Sequence, residues 1–258
     1  MTINIPGINE ADLQKALANL GSLPKNEQVE LLHLLDALES RTQLTNRQNT
    51  FLDFVHHVYP GYKVGAHHEK LARIFEENAA GKKKRVIVNI APRHGKSELI
   101  SYLAPAWFLG KYPHKKIIMA SHTADLAVNF GRRVRNLVGS DPYKDIFPGV
   151  ELQADSKSAS RWGTNYNGEY FAIGVGGALA GRGADLFIID DPHSEQDAKL
   201  GKPEVFLPAW EWFQSGPIQR LMPGGAIIVV MTRWSKLDLT GQIINQMVKN
   251  EDVDDWEV

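Results

Sequence analysis

Four short stretches of the chain hold residues whose types and spacing suit phosphate chemistry. The first is "NIAPRHGKSEL", residues 89–99, in which Gly95-Lys96-Ser97 follows an apolar run and opens a helical pattern. A G-K-[ST] triplet in that context wraps a polyphosphate, because loop N–H groups and the helix dipole both favour an anion. Lys96 would reach the β- and γ-phosphates, and Ser97 would offer its hydroxyl to Mg²⁺. The usual G-x-x-x-x-G-K-[ST] loop begins with a glycine where this chain has Ile90, and Pro92 and Arg93 crowd the turn. The competing reading is a surface turn in which Gly95 only bends the chain and Lys96 is an exposed charge. The second stretch is "ADLFIIDDP", an apolar run that delivers Asp190 at its tip, where a carboxylate can hold a water-coordinated Mg²⁺. Asp191, one residue on, points elsewhere and could orient or deprotonate an attacking water. Paired acids before a proline also commonly just end a strand. The third is "IIVVMTRWS", where Thr232 and Arg233 could sense a γ-phosphate and relay its loss, or simply end a strand. The fourth is "GGALAGRGADLF", whose glycines could let Arg182 approach a phosphate of its own or a neighbouring subunit, or merely turn a corner.

The elements needed to position these residues are legible as patterns. Helical spacing covers 9–20 and 26–39, with Pro24 between them; further helices fit "NTFLDFVHHVY" and "HHEKLARIFEENAA", the latter closed by Gly81. Short apolar runs then alternate with helices. "RVIVNI", "KKIIMAS", "ADLFIID" and "GAIIVVMT" read as strands; "SELISYLAPAWFLG", "TADLAVNFGRRVRNLVG" and "PEVFLPAWEWFQS" read as helices. Pro105 should kink or split the first of these three helices. "SASRWGTNYNGEYFAIGVGG" reads as a β-ribbon turning at Asn167-Gly168. Buried strands separated by helices imply a mainly parallel sheet covered on both faces. Right-handed crossovers then bring the strand C-termini to one edge, and with them Gly95–Ser97, Ser121–Thr123, Asp190–Asp191 and Thr232–Arg233.

Composition narrows the alternatives. The 258 residues carry a net charge of −1 and no cysteine, which excludes disulfides, thiolate metal sites and cysteine nucleophiles. No apolar run reaches the ~18 residues of a membrane span, and no secretory signal pattern opens the chain. The basic clusters Lys82–Arg85 and Arg132–Arg135 are either solvated faces or part of a local groove for nucleic acid. Trp162, Tyr166 and Tyr170 could stack on bases, though core packing is the plainer fate of Trp162. His56, His57, His67 and His68 lack the spacing of a zinc site.

"APRHGKSEL", "GVGGALAGRGADLFIIDDP" and "MTRWSKLDLTG", in this order and spacing, resemble the N-terminal ATPase domain of tailed-bacteriophage terminase large subunits, over most of the chain from about residue 45. The resemblance implies a P-loop fold of the RecA/helicase-like ASCE type at 46–258 with an N-terminal helical segment at 1–45. It implies ATP and Mg²⁺ as cofactors, with Pro92, Arg93, His94, Gly95, Lys96, Ser97 and Glu98 forming the nucleotide loop. Ser97 and Asp190 would then hold the metal, Asp191 would stand in the catalytic-carboxylate place, and Thr232 and Arg233 would couple hydrolysis to motion. Arg93 resembles the arginine of terminase loops, one residue nearer the glycine than in several relatives. Arg182 occupies a place where some terminases carry an arginine finger acting across subunits, and His68 lies near where others contact adenine through a glutamine. Asp191 replaces the glutamate of many related motors, and Ser235 a histidine common in close relatives. The implied partners are double-stranded DNA, a portal protein on a prohead, a small terminase subunit and further copies in a ring. The chain is expected to be monomeric in isolation and to act in the host cytoplasm, outside the mature virion. "MVKNEDVDDWEV" leaves no room for a nuclease domain, so a fragment without nuclease activity is expected. A helicase-like nucleic-acid-stimulated ATPase and a nucleotide-binding scaffold without turnover remain the alternatives.

Overall fold

A computed structural model describes residues 20–155, 158–200, 202–249 and 255–258. Apart from Leu20, the helix expected over 9–20 lies outside them. The first long helix, α1, spans Lys25–Asn49. It runs beyond the helical spacing read over 26–39 and through the polar "RTQLTNRQN", because that segment has neither Pro nor Gly to break a helix. α2 (Phe51–Val58) and α3 (Ala66–Ala79) follow and lead into β1 (Arg85–Asn89).

Beyond β1 the alternating pattern forms a six-stranded sheet of order β1-β6-β5-β2-β4-β3, with β2 at Lys116–Ser121, β3 at Arg161–Gly163, β4 at Glu169–Gly174, β5 at Ala184–Asp190 and β6 at Leu221–Met231. Every pairing is parallel except that of β3 with β4. These two strands are the expected ribbon, and Asn167 at its tip has the positive φ of 64° that such a turn requires. The two-residue period of the strands divides the core. Val86, Val88, Ile117, Met119, Leu186, Ile188, Ile228 and Val230 pack into one apolar layer with α2 and α3. Ile87, Ile118, Ala120, Phe187, Ile189, Ile227, Val229 and Met231 pack into the other, under Trp212, Phe213, Leu239 and Ile243. The sheet is therefore covered on both faces, as continuous apolar strands demand.

The helix after the G-K-S loop opens with a π-helical stretch at Glu98–Leu103 and becomes α4 at Ala104–Lys111. Pro105 explains this form of interruption. It has no N–H for the Ser101 carbonyl four residues back, and its ring would strike that carbonyl in a regular α-turn. The wider turn, in which the Ala104 N–H donates to Leu99 O five residues back, accommodates both problems without breaking the helix. The remaining helices are α5 (Ala124–Val138), α6 (Asp141–Ile146), α7 (Glu195–Leu200), α8 (Leu207–Ser215) and α9 (Leu239–Lys249). At the outer side of β1, the Ile87 N–H donates to Glu257 O at 2.8 Å and the Glu257 N–H to Arg85 O at 3.1 Å. No described helix is long and apolar enough to cross a membrane. Trp162 and Tyr170 are core residues, stacked at 5.0 Å, and the Trp162 indole N–H donates to Gly131 O.

Candidate functional site

β1, β6, β5 and β2 end level with one another, with Asn89 opposite Met231 and Asp190 opposite both Val230 and Ser121. Three of the four chemical stretches thus meet through direct contacts at one edge. Asp190 is fully within the protein at 2% exposure and accepts two hydroxyl hydrogen bonds. Ser97 Oγ donates to its Oδ1 at 3.0 Å and Ser101 Oγ to its Oδ2 at 2.8 Å. Burial, reinforced by the neighbouring Asp191 charge, pushes the Asp190 carboxyl up to about 6 against the opposing pull of these hydroxyls and Lys96. Ser101 is a participant that the sequence reading missed. Its signal was its place four residues after Ser97 on one helix face.

Asp191 turns away from Asp190 through a positive φ of 40°, so two adjacent acids serve two places. Its Oδ2 lies 2.7 Å from the buried Lys96 Nζ, and its Oδ1 accepts the Thr232 N–H at 2.8 Å. The Thr232 hydroxyl donates to Ile90 O at 3.3 Å, tying the end of β6 to the start of the loop. Arg233 does not join this group. Its Nε donates to Asp238 Oδ2 at 3.0 Å, and the same buried carboxylate accepts the Trp234, Ser235 and Gly241 N–H groups. Asp238 caps α9 and gathers the chain after β6 around itself, a second participant missed in the sequence. Asp before an apolar helical run was the available sign.

The loop itself is braced from α3. His68 is buried; its Nδ1 accepts the Gly65 N–H at 3.1 Å, so its Nε2 carries the proton and donates to His94 O at 3.0 Å. Burial and the adjacent His67 lower its basicity. Both ring nitrogens are thus engaged by backbone, and His68 braces the loop from α3. Arg93 is exposed at φ 65°, and His94 is exposed with its Nδ1 2.9 Å from Pro92 O. Glu98 faces α5, where it pairs with Arg133 Nη2 at 2.5 Å; the Arg133 guanidinium lies over the Tyr102 ring. Arg182 is also absent from the cluster. It precedes β5 and so sits at the opposite edge of the sheet, about 20 Å away along a seven-residue strand. There it contacts Glu169 and Phe171.

Gly95 shows why the loop needs glycine. Its φ is +73°, and a Cβ built there would lie 2.5 Å from His68 Nε2. Gly95→Ala therefore incurs about 1–2 kcal/mol of backbone strain and displaces the bracing imidazole. The expected outcome is a lowered melting temperature together with a roughly tenfold or greater loss of nucleotide affinity, read by thermal denaturation and by titration with a fluorescent ATP analogue.

Residues 87–200 match the model of the terminase large subunit, T4likevirus-type, N-terminal family, a span that holds the loop, both acids and Arg182. The crystal structure of the HK97 bacteriophage large terminase has the same fold, with a TM-score of 0.53 at 18% identity over 80% of this chain. The chain spans 42% of that terminase's length. The Thermus phage P74-26 large terminase ATPase domain is also similar, with a TM-score of 0.40 at 18% identity over 66% of this chain and 65% of its own. No curated protein matches. The family match ends at residue 200, so Thr232 joins the loop and the acids on its contacts alone.

Proposed function

We propose that this chain is the ATP-hydrolysing motor domain of a viral DNA-packaging terminase, which translocates double-stranded DNA into a prohead. The observation that carries the reading is the contact chain Ser97–Asp190 and Lys96–Asp191–Thr232, which joins a phosphate-type loop, two acids and a third strand end at one sheet edge. The donor set fits Mg²⁺: a serine hydroxyl and a carboxylate are hard oxygen ligands, and Mg²⁺ keeps waters in its remaining positions. Ser97 and Asp190 would hold it, and Mg²⁺ bound there would neutralise charge on the phosphates. Lys96 has two anionic claims on it, Asp191 in this structure and the β/γ-phosphates in the reading. An arriving triphosphate takes Lys96 from Asp191 and leaves the Asp191 carboxylate available to orient water or accept its proton. Thr232, hydrogen-bonded both to Asp191 and to the loop carbonyl of Ile90, carries the change towards α9. Arg93, exposed on the loop, serves phosphate from this chain. Arg182, at the far sheet edge, serves the γ-phosphate of a neighbouring chain in a ring on the portal, where the small terminase subunit and DNA also assemble in the host cytoplasm.

The test is ATP-driven movement on duplex DNA. Purified chain, with Mg²⁺ and ATP, should displace a third strand from triplex DNA without separating the duplex. Separation of the duplex strands would identify a helicase-like ATPase instead. Nucleotide binding with no phosphate release at any chain concentration, with DNA present, would identify a scaffold.

A further inference from the structure

At the sheet edge remote from the loop, two arginines share one carboxylate. Glu169 opens β4, Arg161 opens β3 beside it, and Arg182 stands just before β5. Glu169 Oε1 accepts Arg182 Nη1 at 3.1 Å and Arg161 Nε at 3.2 Å, while its Oε2 takes Arg161 Nη2 at 3.5 Å. The Arg182 guanidinium lies over the Phe171 ring, its Cζ 3.7 Å from the centroid. We infer that Glu169 is a positioning residue for Arg182, and that Arg161 is the counter-charge that lets Arg182 leave it. The inference rests on the reading of Arg182 as the arginine that serves a neighbouring chain's γ-phosphate.

The physical argument starts from the loop. Gly181, with a φ of +71°, turns the chain just before Arg182, whose N–H donates to Leu179 O at 3.2 Å, so the backbone is set and the long side chain is what remains to be ordered. An arginine side chain with its four rotatable bonds carries a large rotamer entropy. An unheld one would lose that entropy at the moment of reaction. Glu169 fixes one edge of the guanidinium and Phe171 one face, so the side chain is ordered before it meets phosphate. Two cations on one anion leave the cluster with a net positive charge, suited to a phosphate. When Arg182 exchanges carboxylate for phosphate, Arg161 stays on Glu169, so no carboxylate is left uncompensated. A lone Glu169–Arg182 pair would resist that exchange.

Mixed populations test this with full-length chains. Lys96→Ala chains keep Arg182 but lack the loop lysine; Arg182→Ala chains have the reverse. ATP turnover should appear on mixing the two, each being inactive alone. Introducing Glu169→Gln into the Lys96→Ala chain, which donates Arg182, should lower the recovered kcat about tenfold with KM for ATP unchanged, and Glu169→Asp should restore part of it. The loss should be confined to mixtures in which the Glu169 substitution shares a chain with Arg182. Equal loss from either chain, no loss from either, or a change in KM alone would each overturn the positioning role. Failure of the two parent chains to recover any turnover on mixing would sink the reading of Arg182 in trans, and with it the role of Glu169.

Discussion

Lys96→Ala should reduce ATP turnover at least about a hundredfold, the loss typical when one preorganised charge on a transferring phosphoryl group is removed. Lys96 is 6% exposed at the loop-helix junction, and its ammonium lies 2.7 Å from Asp191 Oδ2. Two roles are therefore lost together: the cation for the β/γ-phosphates, and the partner that holds Asp191 in place before nucleotide arrives. Unfolding should not confuse the result. Asp191 keeps its Thr232 N–H bond, and its side chain is 34% exposed, so water compensates the orphaned carboxylate. Circular dichroism should show the wild-type fold while phosphate release is lost. Turnover equal to wild type in the folded variant would sink the ATPase reading.

Asp190→Asn should make the metal-free protein more stable and less active. The Asp190 carboxyl is raised from 3.8 to about 6, mainly by burial and then by the Asp191 charge. A raised carboxyl means that between about pH 4 and 6 the folded chain binds more protons than the unfolded chain, so its contribution to stability falls as pH rises through that window. Above pH 6 the charged Asp190 carries the full cost, about 3 kcal/mol for a shift of roughly two units. Asparagine stays neutral and still offers Ser97 or Ser101 an acceptor. In EDTA at pH 8 the variant should therefore melt several degrees above wild type, at about 2–4 °C per kcal/mol for a chain of this size. The difference should close towards pH 4, while ATP turnover is lost at every pH. A stability difference that does not vary with pH would show that the carboxylate is not under this strain. In the proposed function, the reason for keeping a costly charge is that the same burial would make it a strong ligand for a cation.

Much of this was visible in the residues themselves. Apolar runs such as "ADLFIID", with no polar alternation, could only be strands covered on both faces, and helices between them forced parallel pairing. Parallel pairing in turn placed the C-terminal ends of β1, β2, β5 and β6 on one edge, which is why the loop, the acid pair and Thr232 could be expected together. The nature of the interruption at Pro105 was not visible, because a missing N–H can be met by a kink, a break or a wider turn, and packing chooses among them.

What the sequence by itself determined was the set of groups tied to strand ends: Lys96, Ser97, Asp190, Asp191 and Thr232 have no freedom to be elsewhere once the sheet forms. What only the tertiary structure decided was the fate of side chains whose partners are distant in sequence. Glu98 turned to Arg133, His68 to the His94 carbonyl, and Arg182 to Glu169. Each is a long or ionisable side chain that takes the best hydrogen-bonding partner within reach. Which partner is within reach depends on how helices and loops pack over the sheet, and no local pattern records that.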